Sequence, residues 1–344
     1  MGNVTGIIMI HEAVLFDRLD NDKVQCHVCA HECTIAKGKS GICGVRENRD
    51  GTLFTLIYNT VSSEAVDPIE KKPLYHFLPG TLSYSQGTIG CNFRCKHCQN
   101  WSISQVSLEN AYTSEITPEE SVARAVNSEC ASMSWTYNEP TIWHEFTHDS
   151  ARLAHEAGLK TVYVTNGYIT EEALRDIYPH LDAFRVDIKA FRDEFYHEVC
   201  GAHLQPVLDS AVVARELGMH IEVVNLIIPG QNDDVAETKA LIEWVRDNLG
   251  PQTPIHFTRF YPMYKMEGAA PTPVATLERA WQMAKDTGLE YPYVGNVAGH
   301  GYENTYCPDC GTLLIDRSGY TIVRNVITGD KKCPECGHGI AVLM

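Results

Sequence analysis

Nowhere in its 344 residues does the sequence hold an apolar run approaching the ~20 residues of a membrane span. Ile7-Ile8-Met9-Ile10 is the only apolar run at the N-terminus and is too short for a signal-peptide core. Gly6 stands where a myristoylation signal needs Ser or Thr. The expectation is a cytoplasmic chain with no membrane partner. Positive charge is scarce as well: 28 Lys and Arg against 44 Asp and Glu leave a formal charge of −16. A field of that sign repels phosphate backbones, which disfavours bulk nucleic-acid binding while leaving room for a local basic patch. Low-complexity segments are absent. A hydrophobic content of 44% and a charged content of 21% are those of an ordinary globular protein. The length allows one large domain, or a core with small appendages.

Cysteine is abundant. Thirteen fall as Cys26, Cys29, Cys33 and Cys43, then Cys91, Cys95 and Cys98, then Cys307, Cys310, Cys333 and Cys336, with Cys130 and Cys200 alone. Close spacing without an export signal points to metal rather than disulfides.

Between the outer groups a local pattern repeats. "LAHEAGLKTVYVTNG", "VARELGMHIEVVNLIIPG" and "MAKDTGLEYPYVGN" each read as a helix end, a glycine and a β-rich run. Gly158, Gly218 and Gly288 take the place of a left-handed helix cap. The first two β-rich runs are dense in Val and Ile, as strands buried on both faces should be. Thr117, Pro118 and Glu120 give an N-cap, a first-turn proline and a capping-box acid. Strands are predicted at 83–90, 133–137, 161–165, 184–188, 221–228 and 255–260. Helices are predicted at 118–129, 143–157, 171–178, 206–217, 235–249 and 274–287. Alternation of this kind implies a parallel sheet with right-handed crossovers. The predicted fold class is α/β, a partial (β/α)6 TIM-type barrel, with an open doubly wound sheet as the rival. Residues 81–300 would form the barrel, 1–80 a Cys-rich N-terminal appendage and 301–344 a ribbon-like tail.

"TIGCNFRCKHCQNW" follows the first predicted strand. Three thiolates on one tight loop each bind one iron of a cubane cluster and leave the fourth iron open to a small molecule, as catalytic metals require. A zinc ion held by the three thiolates and His97 is the alternative. Polar residues stand at the ends of later strands, where barrel chemistry sits: Asn138-Glu139-Pro140, Asn166-Gly167, Asp187-Ile188-Lys189, and Pro229 to Asp233. The fifth strand also contains Asn225, and the sixth carries His256 and Arg259. An Asp after a strand is more often a helix cap, but several such groups in register are harder to dismiss.

These features resemble the radical S-adenosylmethionine (SAM) superfamily, in which three such cysteines hold a [4Fe-4S] cluster. The resemblance implies reductive cleavage of SAM to a 5′-deoxyadenosyl radical that removes hydrogen from a substrate. The residue before the last cysteine is usually aromatic and near adenine; here it is His97. Within the superfamily the chain resembles the branch around pyruvate formate-lyase activating enzyme. "YNEPT" replaces that branch's Gly-Gly-Glu-Pro, so Asn138 and Glu139 become the expected SAM amino-group contacts. Its two glycines are missing. Asp187 and Lys189 match an Asp-x-Lys segment that the resemblance places near the SAM carboxylate or an associated cation. Asn166, Asn225 and His256 complete the expected cofactor set. A closer resemblance is to the AmmeMemoRadiSam system enzymes, through "CHVCAHECTIAKGKSGICGVREN", "DPIEKKPLYHFLPGTLSYSQGTIGCNFRCKHCQNWSIS", "DIKAF", "IPGQND", "HFTRFYP" and "NTYCPDCG". It implies Memo-like and AMMECR-like partners but no substrate, which stays open between a small molecule and a protein or peptide. A reductant such as ferredoxin or flavodoxin is expected.

Cys307, Cys310, Cys333 and Cys336 form two Cys-Pro-x-Cys-Gly knuckles, read as a closed zinc site, with rubredoxin-like iron as the alternative. Cys26, Cys29, Cys33 and Cys43 read as zinc or a second iron–sulfur cluster. Cys130 reads as a small buried hydrophobe. Cys200 and Lys189 are the catalytic candidates, Cys200 as a hydrogen-atom relay. His256, Arg259 and Tyr261 are expected to face the substrate, a core role being at least equal for Tyr261. Rival functions are a glycyl-radical activase and a non-catalytic iron–sulfur or zinc protein for electron transfer or assembly.

Overall fold

A computed structural model describes residues 10–344. Gly6 and Ile7 to Met9, weighed above as targeting signals, lie outside the described residues. The six predicted strands and six predicted helices all form. Their order is β2 (Leu82–Gly87), α1 (Pro118–Asn127), β3 (Ser132–Trp135), α2 (His144–Glu156), β4 (Lys160–Thr165), α3 (Glu171–Ile177), β5 (Ala183–Asp187), α4 (Gln205–Glu216), β6 (His220–Ile227), α5 (Val235–Trp244), β7 (Ile255–Arg259) and α6 (Val274–Thr287). Two further strands complete the sheet: β1 (Ser63–Pro68) before them and β8 (Pro292–Gly295) after them.

Neighbours in the sheet follow chain order from β1 to β8, with no reversal. A doubly wound sheet reverses at a switch point, so the sequential order selects the barrel. β2 to β8 are parallel, and β1 runs antiparallel along the edge of β2 from Ser63 opposite Gly87 to Pro68 opposite Leu82. β1 and β8 do not pair, so the barrel is partial. β1 falls within the stretch read as N-terminal appendage; the barrel sheet begins there, before residue 81.

Local chemistry explains the elements. Thr117 and Glu120 close a reciprocal capping box, with Pro118 at the first helical position. Gly158, Gly218 and Gly288 all have positive φ, as helix-terminating glycines should. β4 to β7 are buried on both faces, which is why they read as near-continuous apolar runs.

The N-terminal region forms two small antiparallel sheets and is bound to the barrel by a buried ion pair, Arg46 with Glu145 of α2. At the barrel's other end, the C-terminal region folds as an antiparallel sheet of Thr305–Tyr306, Leu313–Ser318 and Thr321–Asn325. Its side chains share a core with Tyr75, Tyr291 and Tyr293 of the barrel. No helix among the described residues is long and apolar enough to cross a membrane.

Candidate active site

The loop after β2 carries the cysteine triad, and the backbone around it is tightly determined. Gly90 has φ +89°, and a Cβ there would lie 2.9 Å from the Cys43 carbonyl oxygen. Asn138 clamps the loop from both sides: its amide donates to the Gly90 carbonyl (2.8 Å) and its oxygen accepts from the Thr88 N–H (3.1 Å). Asn166 donates to Asn92 Oδ1 (2.7 Å), beside Cys91. Cys98 Sγ lies 3.2 Å from Ser104 Oγ.

Cys91, Cys95 and Cys98 open on a cavity of about 430 Å³ inside the barrel, at the C-terminal ends of the strands. Asn138, Glu139, Asn166, Asp187 and Lys189 also line it, so the polar strand ends read from the sequence do converge. Their hydrogen bonds refine their roles. Glu139 accepts from Thr141 N (3.0 Å), Thr141 Oγ1 (2.7 Å), Thr165 Oγ1 (2.7 Å) and Asn166 N (2.8 Å), and so braces β3 against β4. Burial nevertheless raises its pKa above the usual carboxylate value.

Charge in the cavity is mainly positive. Lys71 and Lys72 both reach Asp67 at 2.7 Å, and Tyr137 donates to the same carboxylate at 3.0 Å. Arg185 and Lys189 likewise share Asp187. Burial opposes ionisation of Asp67 and Asp187, but the paired cations outweigh it and hold both below the ordinary range. Four cations of the lining, Lys71, Lys72, Arg185 and Lys189, therefore stand against the carboxyls of Glu139 and Asp187 in the wall and of Asp67 behind it, an excess of positive charge against the sign of the whole chain. Lys71, Lys72, Asp67 and Arg185 escaped the sequence reading; the paired lysines of "DPIEKKP" were the available signal.

His97 also lines the cavity. Burial, and then Lys189, push its pKa down to about 3, so the ring is neutral. Its Nδ1 has no hydrogen-bond partner among the described residues. Zinc held by the triad and His97 finds no support in the spacing. Among the described residues, only Cys307, Cys310, Cys333 and Cys336 bring three or more His, Cys, Asp or Glu ligand atoms within 4.8 Å of one another. Three all-sulfur ligands spread around an open cavity instead suit a cubane cluster with one free iron.

Other expected site residues lie elsewhere. His256 is near the N-terminal end of β7, fully buried, and bonded at 2.7 Å to Glu222, which also accepts from Tyr75 N and His76 N. Asn225 is not among the cavity-lining residues; its amide donates to the Ile188 carbonyl at 2.9 Å and steadies the end of β5. Asn225 faces away from the cavity, because alternate residues of a strand point opposite ways and Val224 and Leu226 take the inward positions. His256 shares the inward side of β7 with the cavity-lining Thr258 but stands too near the start of the strand to reach the cavity. Arg259 and Tyr261 also lie outside the lining; the Arg259 Nε donates to the Thr272 carbonyl. Cys200 ends a π-helical turn, Tyr196–Cys200, and is fully buried. Its thiol hydrogen-bonds Cys95, while its carbonyl accepts from Arg94 N at 2.7 Å. It supports the triad loop and does not line the cavity.

Residues 85–242 match the model of the Radical SAM superfamily. The uncharacterized protein MJ0808 of Methanocaldococcus jannaschii is 46% identical over 336 residues, covering 97% of this chain and all of that one. The pyruvate formate-lyase-activating enzyme of Clostridium pasteurianum is 23% identical over 167 residues, covering 46% of this chain and 67% of that one. Among solved structures, a radical SAM methyltransferase from Sphaerobacter thermophilus has a TM-score of 0.50 at 16% identity, covering 65% of this chain and 68% of that one.

Proposed function

Because the chain belongs to the radical SAM superfamily, whose members are enzymes, we propose that it uses SAM to start radical chemistry on an anionic small-molecule substrate. The observation that carries the substrate class is the cavity's charge: Lys71, Lys72, Arg185 and Lys189 in the lining outnumber the carboxyls of Glu139, Asp187 and the adjacent Asp67. Cys91, Cys95 and Cys98 would hold the cluster. A [4Fe-4S] cluster with SAM supplies one-electron cleavage of the sulfonium and a 5′-deoxyadenosyl radical. The chain's own work is positioning. Asn138 and Asn166 fix the triad loop, and Lys189 with Arg185 offers charge-assisted bonds to a carboxylate of SAM or substrate. His97, neutral and with Nδ1 lacking a hydrogen-bond partner among the described residues, offers a flat face beside the triad. Burial of the cavity walls keeps water from a reactive carbon centre.

The test is SAM cleavage by anaerobically reconstituted protein under dithionite, with Cys98→Ala as control. 5′-Deoxyadenosine from the wild type alone is expected. Deuterium carried into it from a labelled organic acid or phosphate ester, and not from neutral analogues, would identify the substrate class. Transfer from neutral compounds alone would overturn the anionic reading. A glycyl-radical activase is the second reading, favoured by the likeness to the Clostridium pasteurianum enzyme; a glycyl radical formed on a partner protein would support it. The finer assignment to the AmmeMemoRadiSam group rests on the motifs quoted above, and dependence of turnover on added Memo-like and AMMECR-like proteins tests it.

A further inference from the structure

The three cysteine groups differ in how their sulfurs are spaced. In the C-terminal group, Cys307 and Cys336 lie 3.6 Å apart, as do Cys310 and Cys333. A tetrahedral ion with metal–sulfur bonds of about 2.3 Å sets its sulfurs at roughly this distance. The N-terminal group is different. Cys26, Cys29, Cys33 and Cys43 line one small cavity, yet no three of their sulfurs come within 4.8 Å of one another. In this they match the catalytic triad, whose sulfurs are equally absent from single-ion spacing. A cubane assigns one iron to each thiolate and separates the thiolates by the width of its core.

The surroundings agree. The cavity's other walls are largely apolar, with Val28, Ile35, Ile42 and Ile142 among them. Neither nearby histidine is turned to the thiols: His27 bonds Asp17 at 3.0 Å, and His31 bonds the Asn92 carbonyl at 2.8 Å. The ligand set is thus four sulfurs. It also abuts the triad loop. Arg94 bonds the carbonyls of both Ile42 and Cys91, and the Cys43 carbonyl fills the space a side chain at position 90 would need.

We propose that Cys26, Cys29, Cys33 and Cys43 hold a second, four-thiolate iron–sulfur cluster, in contact with the loop that bears the catalytic triad. One electron received from a reduced ferredoxin- or flavodoxin-class carrier leaves this cluster again for the one on the triad, so it ends each cycle in its starting state. That role rests on the radical chemistry proposed above; the occupancy does not.

The test begins with the Cys91→Ala, Cys95→Ala, Cys98→Ala triple variant, reconstituted anaerobically with iron and sulfide. About four irons and four sulfides should remain per chain. Further substitution of Cys29→Ser and Cys43→Ser should remove them. Zinc in their place, or no metal, would overturn the proposal. The reciprocal Cys29→Ser, Cys43→Ser variant guards against misfolding of the first: it should lose half the wild-type iron, and retention of all of it would equally overturn the claim. Contact between the sites has its own readout. The electron paramagnetic resonance spectrum of the fully reduced wild type should be broadened relative to the sum of the two variants, and a simple sum would refute proximity. If the iron counts hold while SAM is not cleaved, the radical reading fails and this occupancy stands.

Discussion

His76 links the C-terminal region to the base of the barrel, and its titration makes that linkage acid-sensitive. The ring is buried, with Nδ1 2.7 Å from the Ala341 carbonyl and Nε2 2.6 Å from the Tyr293 hydroxyl. Of the two neutral tautomers, the one that donates from Nδ1 and accepts at Nε2 satisfies both. Burial pushes its pKa down to about 4. The unfolded chain, with an ordinary pKa near 6.5, therefore binds more protons than the folded one below neutrality, and stability falls as pH falls. The loss runs from about pH 6.5 to about pH 4, reaching roughly 2 kcal/mol by pH 5 and 3 kcal/mol in all. His76→Gln cannot titrate. At pH 7 it should be about 1–2 kcal/mol less stable than wild type, through weakened hydrogen bonds. By pH 5 that gap should close. Urea unfolding of anaerobic protein at pH 7, 6 and 5 measures it, and the difference between the two chains cancels the thiolate sites that titrate in both. A gap that stays constant from pH 7 to pH 5 would refute the reasoning.

Three other outcomes follow from the geometry. Arg46→Met leaves Glu145 buried without its partner and should cost about 3–5 kcal/mol, most of it recovered in Arg46→Met, Glu145→Leu, as chemical denaturation would show. Gly90→Ala forces a Cβ to within 2.9 Å of Cys43 O and Val45 Cγ1 at a φ of +89°, so iron loading of the triad should drop, read from iron content and visible absorbance. If Cys307, Cys310, Cys333 and Cys336 hold a structural ion, as their spacing allows, a strong chelator should strip it and expose 307–336 to protease while the barrel stays protected; no bound metal, or uniform protection with the metal gone, would contradict that role.

Much of the barrel was legible because its signals are local. Glycine caps, a capping box and β-branched runs are read within a few residues, and they placed all six predicted strands and helices. β1 escaped because "SEAVDP" is polar and ends in proline, and it becomes a strand only by pairing with β2. β8 read as β-rich but is just four residues long. The triad was legible because its three ligands sit on one loop. Asn225 and His256 were misplaced for different reasons: for Asn225, a strand buried on both faces carries no alternation to show which residues point inward. His256 stands near the start of its strand, and barrel chemistry sits at the other end. Lys71 and Lys72 could not be assigned to the cavity, because a long-range fold brings them back to face Tyr137 and the ends of the other strands.

Tyr320, at the turn between Leu313–Ser318 and Thr321–Asn325, lines the same cavity as the triad. One wall of the cavity is thus borrowed from a module outside the barrel. A lengthened or reshaped hairpin tip would alter which molecules fit without disturbing a strand, a cluster ligand or a cation beneath.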